Sequence, residues 1–263
     1  MKLGWMSTGR GEGSKKLLLT TLENIKTGYI DAQIEFVFCN RVFGEQQGSD
    51  QFLSVVESNS IPVVAYSSRE FAKHKRAKSF NDIRVDYDRD VIEMLADFKP
   101  DLIVLAGYML FTSLEMVTKF KMVNLHPAPP KGPVGSWQKV IWDLIESNSS
   151  VGGAQIQLAT MDWDRGPIIS YVTYPLNGPK FEKGWEQINE YTLPNLRKNH
   201  GEDLLLFKTI REETSKREPP LLVETLRSIA NTDVTIFEGD IFHNGQMLQG
   251  GISLADRISR WLT

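Results

Sequence analysis

An amide and an imidazole stand two positions apart at Asn124 and His126, in the stretch KMVNLHPAPP that breaks on three prolines. Side chains two apart on a strand point to the same face. Such a pair can donate two hydrogen bonds to one oxygen as that oxygen gains negative charge. Further along, MDWDRGPI sets the carboxylate of Asp164 beside Arg165 on a loop between two strand-like runs. A carboxylate there can orient an imidazole and order a water that moves a proton. Near the amino terminus, STGRGEGSK gathers Gly9, Gly11 and Gly13 into a turn that leads into Ser14 and Lys15. Backbone N–H groups of such a turn, at a helix amino terminus, suit a phosphate. Taken singly, each feature also has a plain structural reading: a buried polar pair tying down a loop, a surface ion pair, or a tight strand-to-helix turn.

The same residue types exclude several other chemistries. The glycine turn reads G-x-G-x-G rather than the dinucleotide pattern, and Asn40–Arg41, not an acid, follows the second strand. The triphosphate loop pattern is absent. His74, His200 and His243 show no ligand spacing with His126, so no metal site is expected. Cys39, the only cysteine, ends a strand and reads as a small buried side chain.

The elements that must hold these groups alternate. KLGWM, AQIEFVFCN, PVVAY, DLIVLAGYM and KMVNLHP read as five strands, and SKKLLLTTLENIKTG, RDVIEMLADFKP and LEMVTKF as helices between them. The nearly all-apolar DLIVLAGYM is the pattern of a strand covered on both faces. An open, Rossmann-like, mostly parallel α/β sheet with helices on both faces follows. Its functional groups belong at the carboxyl ends of strands, where Asn124 and His126 fall. SWQKVIWDLIES is a further helix, and GGAQIQLATMD and PIISYVTYPL are two more strands. Beyond them, GEDLLLFKTIREETSKRE and PPLLVETLRSIA read as two separate helices, the second starting on proline. TIFEGDIFHNGQ then gives a strand pair, and SLADRISRWL a closing helix.

Composition sets the bounds. A chain of 263 residues with 41% hydrophobic and 24% charged residues is ordinary globular material, and a net charge of −3 argues against a nucleic-acid or membrane-surface protein. No secretion signal or spanning segment is visible, so a cytoplasmic protein is expected.

Taken in order, GEGSK, IVLAGYM, VNLHP and MDWDRGPII resemble the blocks of the formyltransferase family that uses 10-formyltetrahydrofolate. Those blocks are a Gly-x-Gly-Ser loop, an Ala-Gly-(Phe/Tyr)-Met strand end, Asn-x-His-Pro and Asp-x-Gly-Pro. The resemblance covers most of the first ~175 residues, and the pattern is most like the branch that formylates glycinamide ribonucleotide in purine synthesis. It implies one formyltransferase domain over residues 1–263. A nucleotide- or phosphate-binding half would run to about residue 112, and a folate-binding and catalytic half with an extended carboxyl-terminal region would follow. It implies that Asn124 and His126 donate to the oxyanion of a tetrahedral intermediate and that Asp164 orients His126, with no covalent enzyme intermediate. The donor, 10-formyltetrahydrofolate as co-substrate, would lie near Tyr108, Met109, Leu110 and Phe111, with contacts from Met161, Asp162 and Trp163. The acceptor phosphate would lie on Gly11, Glu12, Gly13 and Ser14, with Lys15 adjoining. The partners would be two small-molecule substrates, with no nucleic acid and no membrane, and a homodimer is admitted.

Some residues depart from the family pattern on the acceptor side. Lys15 stands where Asn is usual, Glu12 puts an acid in the phosphate loop, and APPKGPVGSWQKV carries no histidine but offers Lys131, Trp137 and Gln138. Formylation of another amine, such as an amino sugar nucleotide, therefore stays open, as does a non-catalytic folate or nucleotide binder. Initiator tRNA is disfavoured because Lys180–Thr263 holds 11 basic and 13 acidic residues. Plain hydrolysis of the donor is disfavoured because the family's hydrolases carry a domain ahead of the first strand, which here begins at about the second residue.

Overall fold

A computed structural model describes residues 1–263, with every side chain except that of Glu190. Strands β1 (Lys2–Ser7), β2 (Gln33–Cys39), β3 (Val63–Ala65), β4 (Leu102–Leu105), β5 (Met122–His126), β6 (Val151–Leu158) and β7 (Ile168–Pro175) form one sheet. Their order is β7, β6, β5, β4, β1, β2, β3, and a short eighth strand described below lies outside β7. All neighbours run parallel except β6, which is antiparallel to both β5 and β7. The fold is the expected Rossmann-like α/β arrangement.

Alternation along the strands explains why both faces must be covered. In β4, Leu102 and Val104 join one buried cluster, while Ile103 and Leu105 join another. In β2, Val37 joins the first, and Phe36 and Phe38 the second. Helices α1 (Glu12–Lys26) and α2 (Gln47–Ser58) cover the first face with Leu17, Leu18, Phe52 and Val56. Helices α3 (Ser68–His74), α4 (Arg84–Met94) and α5 (Leu114–Lys119) cover the second with Phe71, Tyr87, Val91 and Met116.

The carboxyl-terminal region builds a third cluster and then returns. Helices α6 (Trp137–Glu146), α7 (Pro179–Glu190), α8 (Leu193–His200) and the start of α9 (Leu205–Ala230) pack around Val140, Leu144, Leu196 and Phe207. A small antiparallel sheet of β8 (Val234–Phe237), β9 (Asp240–His243) and β10 (Gln246–Met247) follows. β11 (Ile252–Ser253) then adds to the main sheet beside β7, and α10 (Ala255–Ser259) closes the chain.

Several expected boundaries move. The strand read through Met109 stops at Leu105, because Gly107 takes a φ of +73 and its missing Cβ would lie 2.7 Å from Ser14 Oγ. Most notably, the two carboxyl-terminal helices are one. α9 runs through Pro219 and Pro220 without ending. A proline pair lacks two helical donors and ordinarily breaks a helix. Here both prolines are buried, and Leu221, Leu222, Val223 and Leu226 beyond them are buried in the first cluster. Burial overrides local preference.

Candidate active site

The sheet delivers its functional groups to one end. β5 lies between β4 and β6, so Asn124 sits opposite Leu105 on one side and Gln157 on the other, while His126 sits opposite Gln155. Opposed residues share a face, and four polar side chains therefore meet where the sheet is otherwise apolar. The β6–β7 loop then folds back over them. Asp164 reaches this point by taking a φ of +54, and it is only 7% exposed.

The Asp164 carboxylate is the hub. Oδ1 accepts from Asn124 Nδ2 at 3.0 Å and from Gln157 Nε2 at 3.4 Å, and Oδ2 accepts from the Gly135 amide at 3.0 Å. Gln157 is in turn held by Gln155 Nε2 at 3.1 Å. His126 Nδ1 lies 3.5 Å from Asp164 Oδ1, and its Nε2 lies 2.8 Å from the Pro133 carbonyl oxygen. Both ring nitrogens thus stand near oxygen acceptors, with the Pro133 carbonyl taking the hydrogen bond from Nε2. The glutamines were not singled out from sequence. Their signal is in the alternation of AQIQL, two amides on one face of an otherwise apolar strand.

A cavity of about 360 Å³ opens beside this cluster, lined by Asn124, His126 and Asp164 on one wall. Gly11, Gly13 and Ser14 from the start of α1 face them, and Met109, Trp137 and Gln138 also line it. Asn124, His126 and Asp164 therefore share one cavity with Gly11, Gly13 and Ser14, whereas Glu12 and Lys15, also expected at the acceptor, do not line it. Gly11 begins α1 in an extended conformation and has open space around it, so its backbone is approachable. Glu12 turns outward: its side chain is 85% exposed and it pairs with Lys15. Lys15 itself bonds Gln51 at 2.8 Å, toward α2 rather than into the cavity. One residue on a helix is about 100° of rotation, so Lys15 cannot share the direction of Ser14.

Arginine from elsewhere supplies the charge. Arg10 lines the cavity, and α9 sends in Arg211 and Glu218. Arg211 lies over the Trp137 ring, 4.6 Å from its centroid, and pairs with Glu218 at 3.1 Å. A Cβ at Gly13 would stand 3.6 Å from the Arg211 guanidinium, which places that charge directly above the turn. Sequence reading missed Arg211 and Glu218 because they lie about two hundred residues from the glycine turn, where spacing carries no signal.

Of the residues expected to hold the donor, Tyr108, Met109 and Trp163 line this same cavity. The Met109 amide is fixed by Thr8 Oγ1 at 3.0 Å, and its side chain is partly exposed at the cavity. Tyr108 buries its ring edge-on to Phe38, and burial pushes its hydroxyl pKa well up. Leu110 and Trp163 line a narrow cleft of about 10 Å³ beside Asn124 and Asp164. Phe111 stands against Trp163 with ring centroids 4.2 Å apart. Met161 and Asp162 are exposed. Among the described residues, no group of three or more His, Cys, Asp or Glu is placed to hold a metal ion, and no helix is long and apolar enough to cross a membrane.

Comparison with known proteins bears on the fold and the family. The chain is 25% identical over 171 residues to phosphoribosylglycinamide formyltransferase of Escherichia coli, covering 63% of this chain and 70% of that one. Its fold superposes on the phosphoribosylglycinamide formyltransferase of Coxiella burnetii with a TM-score of 0.69 at 18% identity, over 96% of this chain and 98% of that one. It also superposes on a formyltetrahydrofolate deformylase of Pseudomonas syringae with a TM-score of 0.62 at 16% identity, over 92% of this chain but 65% of that one. The formyl transferase family profile matches residues 11–177, well over half of the sequence and the span that carries the glycine turn, Asn124, His126 and Asp164, and the chain belongs to that family.

Proposed function

We propose that this chain transfers the formyl group of 10-formyltetrahydrofolate to the primary amine of a phosphorylated acceptor, with glycinamide ribonucleotide as the leading acceptor. The observation that carries this reading is the Asp164 hub, which binds Asn124 and stands beside His126 at the wall of a cavity whose opposite side is the glycine turn. An amide has two N–H donors. Asp164 holds one of Asn124's, leaving the other for the formyl oxygen as the amine attacks the formyl carbon. His126 Nε2 now donates to the Pro133 carbonyl. An oxyanion is a stronger acceptor than a carbonyl and takes that donor over. The proton lost by the attacking amine passes through a water held at Asp164 to the leaving nitrogen, giving tetrahydrofolate and the N-formyl product.

The acceptor phosphate is assigned to Gly11, Gly13 and Ser14 beneath Arg211. The amino-terminal half, to about residue 112, thus carries the phosphate turn, and the remainder carries the chemistry. The donor's ring is assigned to the cleft beside Leu110 and Trp163. At about 10 Å³ it has to widen by moving Trp163 off Phe111, since small-molecule sites occupy roughly 300 Å³ or more. A different phosphorylated amine is the second reading, and Arg211 stacked on Trp137 at the acceptor end favours it.

The test is to incubate the chain with 10-formyltetrahydrofolate, with and without glycinamide ribonucleotide, and to follow products by mass spectrometry. Formylated ribonucleotide is the expected result. Formate released without acceptor would replace transfer by hydrolysis, and an unconsumed donor would overturn this choice of acceptor.

A further inference from the structure

A second cavity, of about 520 Å³, lies away from the catalytic one, between the end of α1, the last turns of α9 and the carboxyl terminus. Its lining does not include any of the catalytic or glycine-turn residues. It is a built site rather than a surface dent. Glu224 on α9 is 2% exposed, and its Oε1 accepts from Tyr29 Oη at 2.6 Å and Trp261 Nε1 at 3.0 Å. Its other oxygen, Oε2, is buried without any hydrogen-bond partner. A buried carboxylate oxygen left unpaired is costly, and a native site that keeps one points to an acceptor waiting for a donor.

Around this floor stand three guanidinium groups. Arg227 lies over the Tyr29 ring, 4.2 Å from its centroid, and donates to the Tyr29 hydroxyl at 2.9 Å. Arg257 donates to Ser228 Oγ at 3.2 Å and lies 3.7 Å from Glu224 Oε2, too far for a hydrogen bond. Among the described residues, Arg227 and Arg260 have no carboxylate partner within 4.0 Å. The lining thus sets three guanidinium groups against two carboxylates, Glu224 and Asp233, so positive charge exceeds negative in a chain whose net charge is −3. The ring of Trp261 is partly exposed and meets Tyr29 edge-on at 6.2 Å, so a flat apolar surface adjoins the arginines. Asn24 and Asn231 add amides to the lining.

From this arrangement we infer that the second cavity binds a nucleoside monophosphate. The phosphate lies on Arg257 and Arg260, the base stacks against Trp261, and a ribose hydroxyl or base amino group donates to Glu224 Oε2. The carboxylate distinguishes this site from a plain anion patch, because a carboxylate repels a bare anion and is satisfied by a ligand that brings a hydroxyl or amino donor at a distance from its phosphate. A volume of about 520 Å³ falls in the roughly 300–1,000 Å³ range of small-molecule sites.

The test is calorimetric titration of the full chain with adenosine 5′-monophosphate, inorganic phosphate and adenosine. The same titrations are run on the double variant Arg257→Ala/Arg260→Ala and on Arg211→Ala, which alters only the catalytic cavity. The expected result is one saturable site for the nucleotide, weakened at least tenfold in the double variant and unchanged in Arg211→Ala, with phosphate and adenosine each binding more weakly. Loss in Arg211→Ala alone would place the nucleotide in the catalytic cavity and overturn the inference. So would inorganic phosphate binding as tightly as the nucleotide, or an absence of binding.

Discussion

The two walls of the catalytic cavity are built on opposite principles. The wall of Asn124, His126 and Asp164 comes from one strand and one short loop, buries His126 and Asp164 almost fully, and gives every oxygen of its carboxylate a donor. The facing wall of Gly11, Gly13, Arg211, Trp137 and Glu218 draws on α1, α6 and α9, and its arginine is partly exposed over a buried Glu218. A satisfied buried network is rigid and fixes donors in advance of charge development. A stacked arginine over an open glycine turn can be retuned by single substitutions without disturbing the sheet. Under the proposed function, chemistry belongs to the first wall and selection of the acceptor to the second.

Substitutions at the two walls should therefore fail in different ways. The largest effect is expected from Asp164→Ala, which strands the Asn124, Gln157 and Gly135 donors together. Turnover should fall by about a hundredfold or more, and chemical denaturation should show a loss of ~1–3 kcal/mol for a buried donor left unpaired. A variant that lost stability yet kept full turnover would reduce Asp164 to a brace. His126→Ala comes next, with kcat lowered about 10²- to 10³-fold and donor affinity preserved. A rise in KM at constant kcat would instead move His126 to the binding wall.

Arg211→Ala should do what His126→Ala does not. The acceptor KM is expected to rise about tenfold, or ~1.4 kcal/mol, with kcat nearly unchanged. Steady-state kinetics with each substrate varied in turn decides it, and a kcat defect of the same size would erase the division between the walls. The smallest effect concerns what lies behind the glycine turn. Cys39 Sγ faces the Thr8 carbonyl at 3.8 Å, and burial pushes its thiol pKa up to about 11. The folded chain should resist alkylation at pH 8, where the denatured chain is labelled within minutes. Rapid labelling of the folded form would mean that the turn's backing opens readily.

The first wall was legible in the sequence because its signals are local. The two-residue spacing of Asn124 and His126 fixes a shared face on any strand, and the all-apolar run ahead of Gly107 required a sheet covered on both sides. Gln155 and Gln157 obey the same period as polar interruptions of a buried strand, a signal that the sequence reading passed over. The second wall was legible only in its glycine turn. Lys15 looked suited to a phosphate by proximity, yet helix geometry turns it toward Gln51. Arg211 and Glu218 stayed hidden because only the fold brings α9 over a glycine turn about two hundred residues earlier in the chain; the proline pair hid only the continuity of α9. β11 is two residues long, too short for any periodicity to mark.

The most direct test of the division is Asn124→Ala. Its amide is held by Asp164 alone among the described side chains, so the substitution removes a donor with little damage to packing. The measurement is donor affinity from the quenching of Trp163 fluorescence, together with single-turnover formyl transfer at saturating substrates. The account predicts affinity within about threefold of the parent chain and transfer slowed by about 10²- to 10³-fold. Transfer at the parent rate would contradict it, because the oxyanion would then be stabilised by some other group.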